Sequence, residues 1–353
     1  SVTNLIQATP ANYEFYYYNE PSGEWFNHKA AGHNVGTMTN GRGYLYWNAD
    51  GDELAFAGEL NTGEVEVAVT AGGSGDLKGI NLIGNPYSHN IYKGAGTAIP
   101  NTGGALATGF YMLSNSDSWV ACTDNTTAIK PAQGILVKAT EAGTVTMTNT
   151  TAAGTSKAGN DNIRFTVANN QYEDVAYAMF NNEIGLNKIN HRNPEVPMLY
   201  IPQDGTNYAI ATMSDDVEMF TLSFKTVTTG KYTLRVKLDG KYDYLHIVDR
   251  LTGEDIDMLA EGEYSFMGTP KDLVDRFIVK LNYNATVNDV NDAFAYQSGN
   301  EIIVNGEGEL QIFDLMGRKV MTQVVNGVQT VNVPAQGVYI FRLNGKVQKI
   351  VVR

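Results

Sequence analysis

Glu64-Val65-Glu66-Val67-Ala68-Val69 alternates without a break, with valine at every second position and glutamate or alanine between. Side chains two apart share one face of a strand, so the stretch turns three valines toward a core and its other side toward water. The same period of two continues in both directions. Upstream, Tyr13, Phe15 and Tyr17 fall on one face and Glu14, Tyr16 and Tyr18 on the other; from Gly43 to Trp47, Tyr44 and Tyr46 oppose Leu45 and Trp47. Asn48-Ala49-Asp50-Gly51-Asp52 then reads as a hairpin turn, because Asp-Gly supplies the positive φ such turns need. Downstream, Ile135-Leu136-Val137-Lys138 and Thr144-Val145-Thr146-Met147 are further short strands. One strand roughly every ten to fifteen residues is close to the spacing of a β-sandwich.

Small residues interrupt the pattern at Thr150-Thr151-Ala152-Ala153-Gly154-Thr155-Ser156, which reads as a linker. Period two resumes at Ile163-Arg164-Phe165-Thr166-Val167. It recurs in Phe220, Leu222 and Phe224, in Tyr232, Leu234 and Val236, in Tyr244, His246 and Val248, and in Phe277, Val279 and Leu281. An Asn- and Asp-rich stretch from Asn282 to Asp292 reads as a second linker. Beyond it, about six short strands are expected, Glu301–Val304, Glu309–Asp314, Lys319–Gln323, Gln329–Val333, Gly337–Leu343 and Gln348–Val352, with turns at Gly306, Gly308, Gly317, Gly327 and Gly345. No stretch carries a convincing 3.6-residue period. The expected fold is all-β, with consecutive β-sandwich domains of jelly-roll or Ig-like form: 1–155, aromatic-rich; 156–285; and a small Ig-like domain at 290–353.

Composition agrees. The chain has 353 residues, long for one core, and 43% hydrophobic with 18% charged content is that of a folded protein. Its 36 glycines and 20 tyrosines suit turns and strands. A net charge of −13 repels phosphate backbones and anionic headgroups, so no nucleic-acid partner is expected. No apolar run is long enough to span a bilayer as a helix. The chain opens on Ser1, which leaves two expectations, a removed leader or a natural chain that extends upstream. Cys122 is the single cysteine, so an internal disulfide and a CxxC metal site are both excluded; it reads as a small core hydrophobe.

Three ordered motifs near the end carry a resemblance. They are Leu310-Gln311-Ile312-Phe313-Asp314-Leu315-Met316-Gly317-Arg318-Lys319-Val320, then Gly337-Val338-Tyr339-Ile340-Phe341-Arg342, then Gln348-Lys349-Ile350-Val351-Val352-Arg353. In order and spacing they resemble the C-terminal sorting domain of proteins exported by the type IX system of Bacteroidetes, with Phe313 where tyrosine is more usual. The resemblance implies a secreted or outer-membrane-surface location, recognition by the type IX machinery, removal of the domain by a sortase-like peptidase and attachment to surface lipopolysaccharide. It nominates Asp314, Gly317, Arg318, Gly337, Val338, Tyr339, Lys349 and Arg353 as the sorting signal. Upstream, Gly41-Arg42-Gly43-Tyr44-Leu45-Tyr46, Asn81-Leu82-Ile83-Gly84-Asn85-Pro86-Tyr87, Lys130-Pro131-Ala132-Gln133-Gly134 and Leu245–Gly253 with Arg276-Phe277 resemble recurrent patterns of uncharacterised regions in large Bacteroidetes surface proteins. Such regions often sit behind peptidases, nucleases or adhesive arrays.

The search for chemistry returns little. Of five histidines, His28 and His33 are spaced for neither a helical nor a strand metal pair, and His246 reads as a strand residue. Asn48, Asp50, Asp52 and Glu59 fit calcium-loop positions, but glutamate stands where glycine belongs, so the hairpin is the better reading. Asp249, Asp255 and Asp257 read as a solvated acidic loop, and Ala71-Gly72-Gly73-Ser74-Gly75 as a flexible one. No G-x-S-x-G elbow or Walker loop occurs. No catalytic, cofactor or metal residue is therefore nominated, and no enzyme activity is expected. Trp25, Trp47 and Trp119 admit two readings: core, or an exposed platform on which sugar rings stack. The expected function is a secreted or cell-surface structural and adhesive β-sandwich protein whose ligand partners are a surface glycan or a host protein. The alternatives are a carbohydrate-binding module and the non-catalytic tail of a larger secreted hydrolase.

Overall fold

The computed structural model describes residues 13–49, 59–154, 162–181, 183–214, 216–240, 242–281, 294–298, 301–314 and 316–352. Among these residues the chain is all-β apart from one helical turn, α1 (Met258–Glu261). Asp257 caps that turn by accepting from the Leu259 and Ala260 amides, and Gly262 ends it in the left-handed region.

The first block contains β1 (Tyr13–Asn19), β2 (Glu24–Asn27), β3 (Leu45–Asn48), β4 (Val65–Val69), β5 (Ile80–Gly84), β6 (Phe110–Leu113), β7 (Trp119–Cys122), β8 (Gly134–Lys138) and β9 (Gly143–Met147). They pair as β2-β1-β3, as β5-β8-β6-β7 and as β4-β9, antiparallel throughout. The alternation at 64–69 does what it implies. Val65, Val67 and Val69 are buried with Val145 and Met147 against Ile83, Ile99, Phe110, Ile135 and Val137. Each such side chain contributes roughly 1.5–3 kcal/mol by leaving water.

The second block contains β10 (Asn162–Ala168), β11 (Glu173–Phe180), β12 (Leu186–Asn187), β13 (Met198–Gln203), β14 (Thr206–Met213), β15 (Met219–Lys225), β16 (Gly230–Asp239), β17 (Leu245–Asp249), β18 (Asp255–Asp257), β19 (Glu263–Gly268) and β20 (Phe277–Leu281). Their order is β18-β17-β20-β15-β13-β14-β11-β10-β16-β19, with β12 beside β14. The path folds over at β13. Met198–Tyr200 pair with β15, whereas Ile201–Gln203 pair with β14 through the Asp204-Gly205 turn, where both residues have positive φ. The two halves thus face each other across a core of Phe165, Ala176 and Leu234 from one and Leu222, Phe224, Ile247, Phe277 and Val279 from the other.

Asp249 corrects the reading of a solvated acidic loop. It is fully buried, and Arg276 grips it with Nε at 2.9 Å and Nη2 at 2.7 Å. The same guanidinium donates to the Met267 carbonyl and to Asp272 and lies 4.4 Å from the Phe266 ring centroid. A charge pair this enclosed costs about 3–5 kcal/mol to break from one side. The Leu245–Gly253 and Arg276-Phe277 patterns are therefore two halves of one structural clamp. Asp255, by contrast, binds His246 and Lys280 at its half-exposed edge.

The last block contains β21 (Ala295–Ser298), β22 (Glu301–Asp314), β23 (Lys319–Val331), β24 (Gly337–Leu343) and β25 (Lys346–Val352). Here the expected turns at Gly306, Gly308 and Gly327 are corrected. β22 and β23 run on through them as one long hairpin, with Gly306 opposite Gly327. The glycines bend the hairpin instead of ending it. β22 pairs with β21 before the bend and with β24 after it, and a Cβ on Gly306 would stand 2.6 Å from the Leu343 side chain. Val304, Leu310, Ile312, Val325, Phe341 and Leu343 fill the core, and the Gln348 side chain closes the sheet by accepting from the Phe294 and Ala295 amides. Asn344-Gly345, both at positive φ, make the two-residue turn from β24 to β25.

Candidate functional site: a C-terminal corner and an aromatic cleft

Seven of the eight nominated C-terminal residues meet at one end of the last sheet. Asp314 closes the turn between β22 and β23. Its Oδ1 accepts from the Met316 and Arg318 amides at 2.9 Å each, and its Oδ2 accepts from Arg318 Nε at 2.7 Å. Gly317 supplies the positive φ, +77°, that lets its own amide reach the Asp314 carbonyl. The hydrogen bonds to Arg318 and Met316 hold the Asp314 carboxyl below the usual carboxylate range. The register then sets Asp314 beside Tyr339, and Tyr339 beside Ile350. Gly337 opens β24 opposite Val352, Val338 faces Val351 across the ladder, and Lys349 faces Ile340. The buried Tyr339 ring donates its hydroxyl to the Ala335 carbonyl at 2.8 Å. Arg318 and Met316 point into water, with the Arg318 side chain 78% exposed. Arg353 lies outside the described residues.

The three tryptophans do not make one platform. Trp119 is buried in a core with Tyr111, Leu136 and Ile210, which corrects its place in a sugar-stacking surface. Trp25 is half-buried against Tyr18, with ring centroids 5.0 Å apart. Trp47 is 60% exposed, and the register pairs it with Glu14 while Trp25 pairs with Tyr18, at the two ends of β1.

The opposite face of the same small sheet is richer. Phe15 stacks on Tyr44 at 5.1 Å, Tyr13 on Tyr46 at 6.3 Å, and the Arg42 guanidinium lies 4.5 Å from the Tyr17 centroid. Between this face and the loops at 84–88 and 131–134 opens a cleft of about 300 Å³ that adjoins a hollow of about 510 Å³. Gly43 explains the tight wall. Its amide donates to the Leu82 carbonyl, the Gly84 amide donates to the Gly41 carbonyl, and any Cβ at 43 would collide with Leu82 and the Ile83 carbonyl. Tyr87 forms buried floor, its hydroxyl donating to the Met147 carbonyl at 2.8 Å. At the mouth, Asn40 Nδ2 donates to Asn61 Oδ1, and Asn61 Nδ2 to the Pro86 carbonyl. Three motifs far apart in sequence, at 41–46, 81–87 and 130–134, thus line one cavity. The glycine each motif carries was the shared signal in the sequence; the exposed Asn40 and half-buried Asn61 carried none.

Other candidates resolve into structure. His28 Nδ1 accepts from the Val35 amide, and His33 stacks on Phe26 at 4.0 Å. Among the described residues no group of three His, Cys, Asp or Glu side chains is placed to hold a metal. Of the calcium-loop residues, Asp50 and Asp52 lie outside the described residues. Cys122 is half-buried, and burial pushes its thiol up to about 11. The glycine-rich 71–75 loop is not loose: the Gly72 and Gly73 amides, with that of Gly79, grip the buried Glu20 carboxylate at 3.2, 2.8 and 2.7 Å. Burial alone would raise the Glu20 pKa, but these amides and Thr70 outweigh it and hold it below the usual value.

No family model, curated protein or solved structure matches the chain.

Proposed function

We propose that this is a secreted or cell-surface structural and adhesive β-sandwich protein, exported through its C-terminal module by type IX machinery and processed by a sortase. The observation that carries this reading is the convergence of the Asp314–Arg318 turn, the Gly337 strand and the Lys349 strand at one corner of an independently cored module. An export receptor that reads folded shape needs its contacts together on a stable surface, and this corner offers an exposed cation and a braced turn. No step of catalysis is assigned to the chain. The test is removal of Gly337–Arg353 in the native host. Accumulation in the periplasm supports the reading; surface display of the shortened chain overturns it.

The cleft favours one addition, the carbohydrate-binding alternative. Half-buried Tyr44 and Tyr46 offer ring faces to the apolar side of a sugar, while Asn40 and Arg42 stand ready for hydroxyls. Saturable binding to a glycan array that Tyr44→Ala abolishes supports it. Binding unaffected by that change, or absent at high sugar concentration, contradicts it.

A further inference from the structure

Three polar side chains meet in the interior of the first block, away from both the cleft and the C-terminal corner. Lys93 has no exposed surface, and the Asp124 side chain is 7% exposed. Lys93 Nζ lies 2.6 Å from Asn101 Oδ1, 2.7 Å from the Ala107 carbonyl oxygen, and 3.0 and 3.3 Å from the two Asp124 oxygens. Asn101 Nδ2 in turn donates to Asp124 Oδ2 at 2.8 Å, and Thr108 Oγ1 donates to the same oxygen at 3.4 Å. Amine, carboxamide and carboxylate therefore form a closed triangle.

We infer that Lys93 and Asn101 join in an intramolecular isopeptide bond, with Asp124 as the proton carrier. The distance is right for it. The carbonyl carbon of Asn101 is one C=O bond of about 1.23 Å beyond Oδ1, so Nζ stands no more than about 3.8 Å from it. Near-attack contacts are about 3–3.5 Å, a shift that rotation of one side chain supplies. The proton accounting closes without a co-reactant. Asp124 takes one proton from the Lys93 ammonium, and the freed Nζ electron pair adds to Cγ of Asn101. Asp124 relays a second Nζ proton to Nδ2, the Cγ–Nδ2 bond breaks, and ammonia leaves. It carries away the proton Asp124 took first, as ammonium, and the carboxylate is restored. Nothing is oxidised or reduced.

Two features of the surroundings favour the step. Burial pulls the Lys93 amine below its usual pKa, with Asp124 and the more distant Glu183 pulling the other way. Burial thereby favours the neutral amine, the form whose electron pair can attack. The backbone is also fixed on both sides. The Asn125 amide donates to the Lys93 carbonyl, the Gly94 amide to Ile99, the Ile99 amide to Tyr92 and the Leu106 amide to Asn101. Gly94, at φ +125°, lets the loop pack where any Cβ would overlap the Asn125 side chain. The inference goes beyond the proposed surface role and does not rest on it, although a covalently closed loop suits a protein exposed to proteases and force.

The experiment is intact-mass measurement of the full folded chain, followed by denaturation and elastase digestion that cuts after Ala95 or Ala98. The expected result is a mass lower by one ammonia and a branched peptide joining Lys93 to Asn101. Asp124→Asn, checked by circular dichroism for an unchanged fold, is expected to return the full sequence mass. A wild-type chain of full sequence mass overturns the inference. So does an ammonia loss with unbranched peptides, which marks a cyclised asparagine. Cross-linking that persists in Asp124→Asn overturns the role given to Asp124.

Discussion

Glu20 illustrates what one residue can decide and how little its neighbours in sequence reveal. It sits just past β1, beside a proline, where a glutamate reads as solvated. Its partners are amides more than fifty positions away, in a loop whose glycines suggest looseness. A Cβ at Gly73 would overlap the Glu20 carbonyl oxygen, so that glycine is there for close approach, whereas a Cβ at Gly72 would meet nothing within 4 Å. The sign of its pH effect follows. A folded-state pKa held below the usual 4.5 means that the stabilisation is present above that value and is lost as the pH falls through the depressed one. Glu20→Gln is expected to be less stable than wild type at neutral pH, with the gap narrowing on acidification. Urea unfolding at a series of pH values checks this; a gap that stays constant from neutral pH into the acid range contradicts it. The Asp249–Arg276 clamp teaches the same lesson. Both residues were visible as a pattern, but burial and pairing are properties of a fold that brings β17 next to β20.

At the scale of elements, period two finds the strands that bury one face, because there the alternation is forced, whereas β5, β11, β13 and β14 bury consecutive residues and give no such alternation. It located the 65–69 strand, the 163–167 strand and the alternating faces of β15, β16 and β20. It failed where glycine has two meanings. Gly317 and Gly345 do turn the chain, whereas Gly306, Gly308 and Gly327 lie within continuous strands that bend across a core. Nothing local separates the two uses, since the difference is whether a partner strand continues opposite. Gly317→Ala meets no atom within 4 Å, so its cost is the left-handed backbone alone, about 1–2 kcal/mol. Thermal unfolding of the variant is expected to show that loss. An unchanged stability means the turn at Asp314 relaxes to another form.

For the whole molecule, the sequence suggested separate blocks, yet the first two share buried surface. Ile80, Tyr111, Trp119 and Leu136 pack with Val175, Leu186, Ile189 and Ile210 in one cluster. Tyr111 donates its hydroxyl to the Asn187 carbonyl, and the Trp119 amide donates to His191 Nδ1. His191 Nε2 then stands 3.3 Å from buried Asp174, which also binds Lys188. Period counting cannot register such a contact, because both blocks have complete alternating strands of their own. All three tryptophans belong to the first block, and Trp119 packs in the shared cluster, so their fluorescence reports on that block and on its contact with the second. Ile210→Ala, in the second block, should cost about 2–5 kcal/mol as a buried truncation. The tryptophan transition is expected to shift with it; a tryptophan transition identical to wild type means the blocks unfold independently.

Export remains the claim on which the molecule's role depends, and fractionation of the native host tests it most directly. Periplasm, surface and medium are blotted with one antibody against residues 1–281 and another against 293–353. The expected result is surface or released protein that carries only the first epitope, the C-terminal module having been cut away. Both epitopes held together inside the cell would contradict export and leave the last module as one more β-fold.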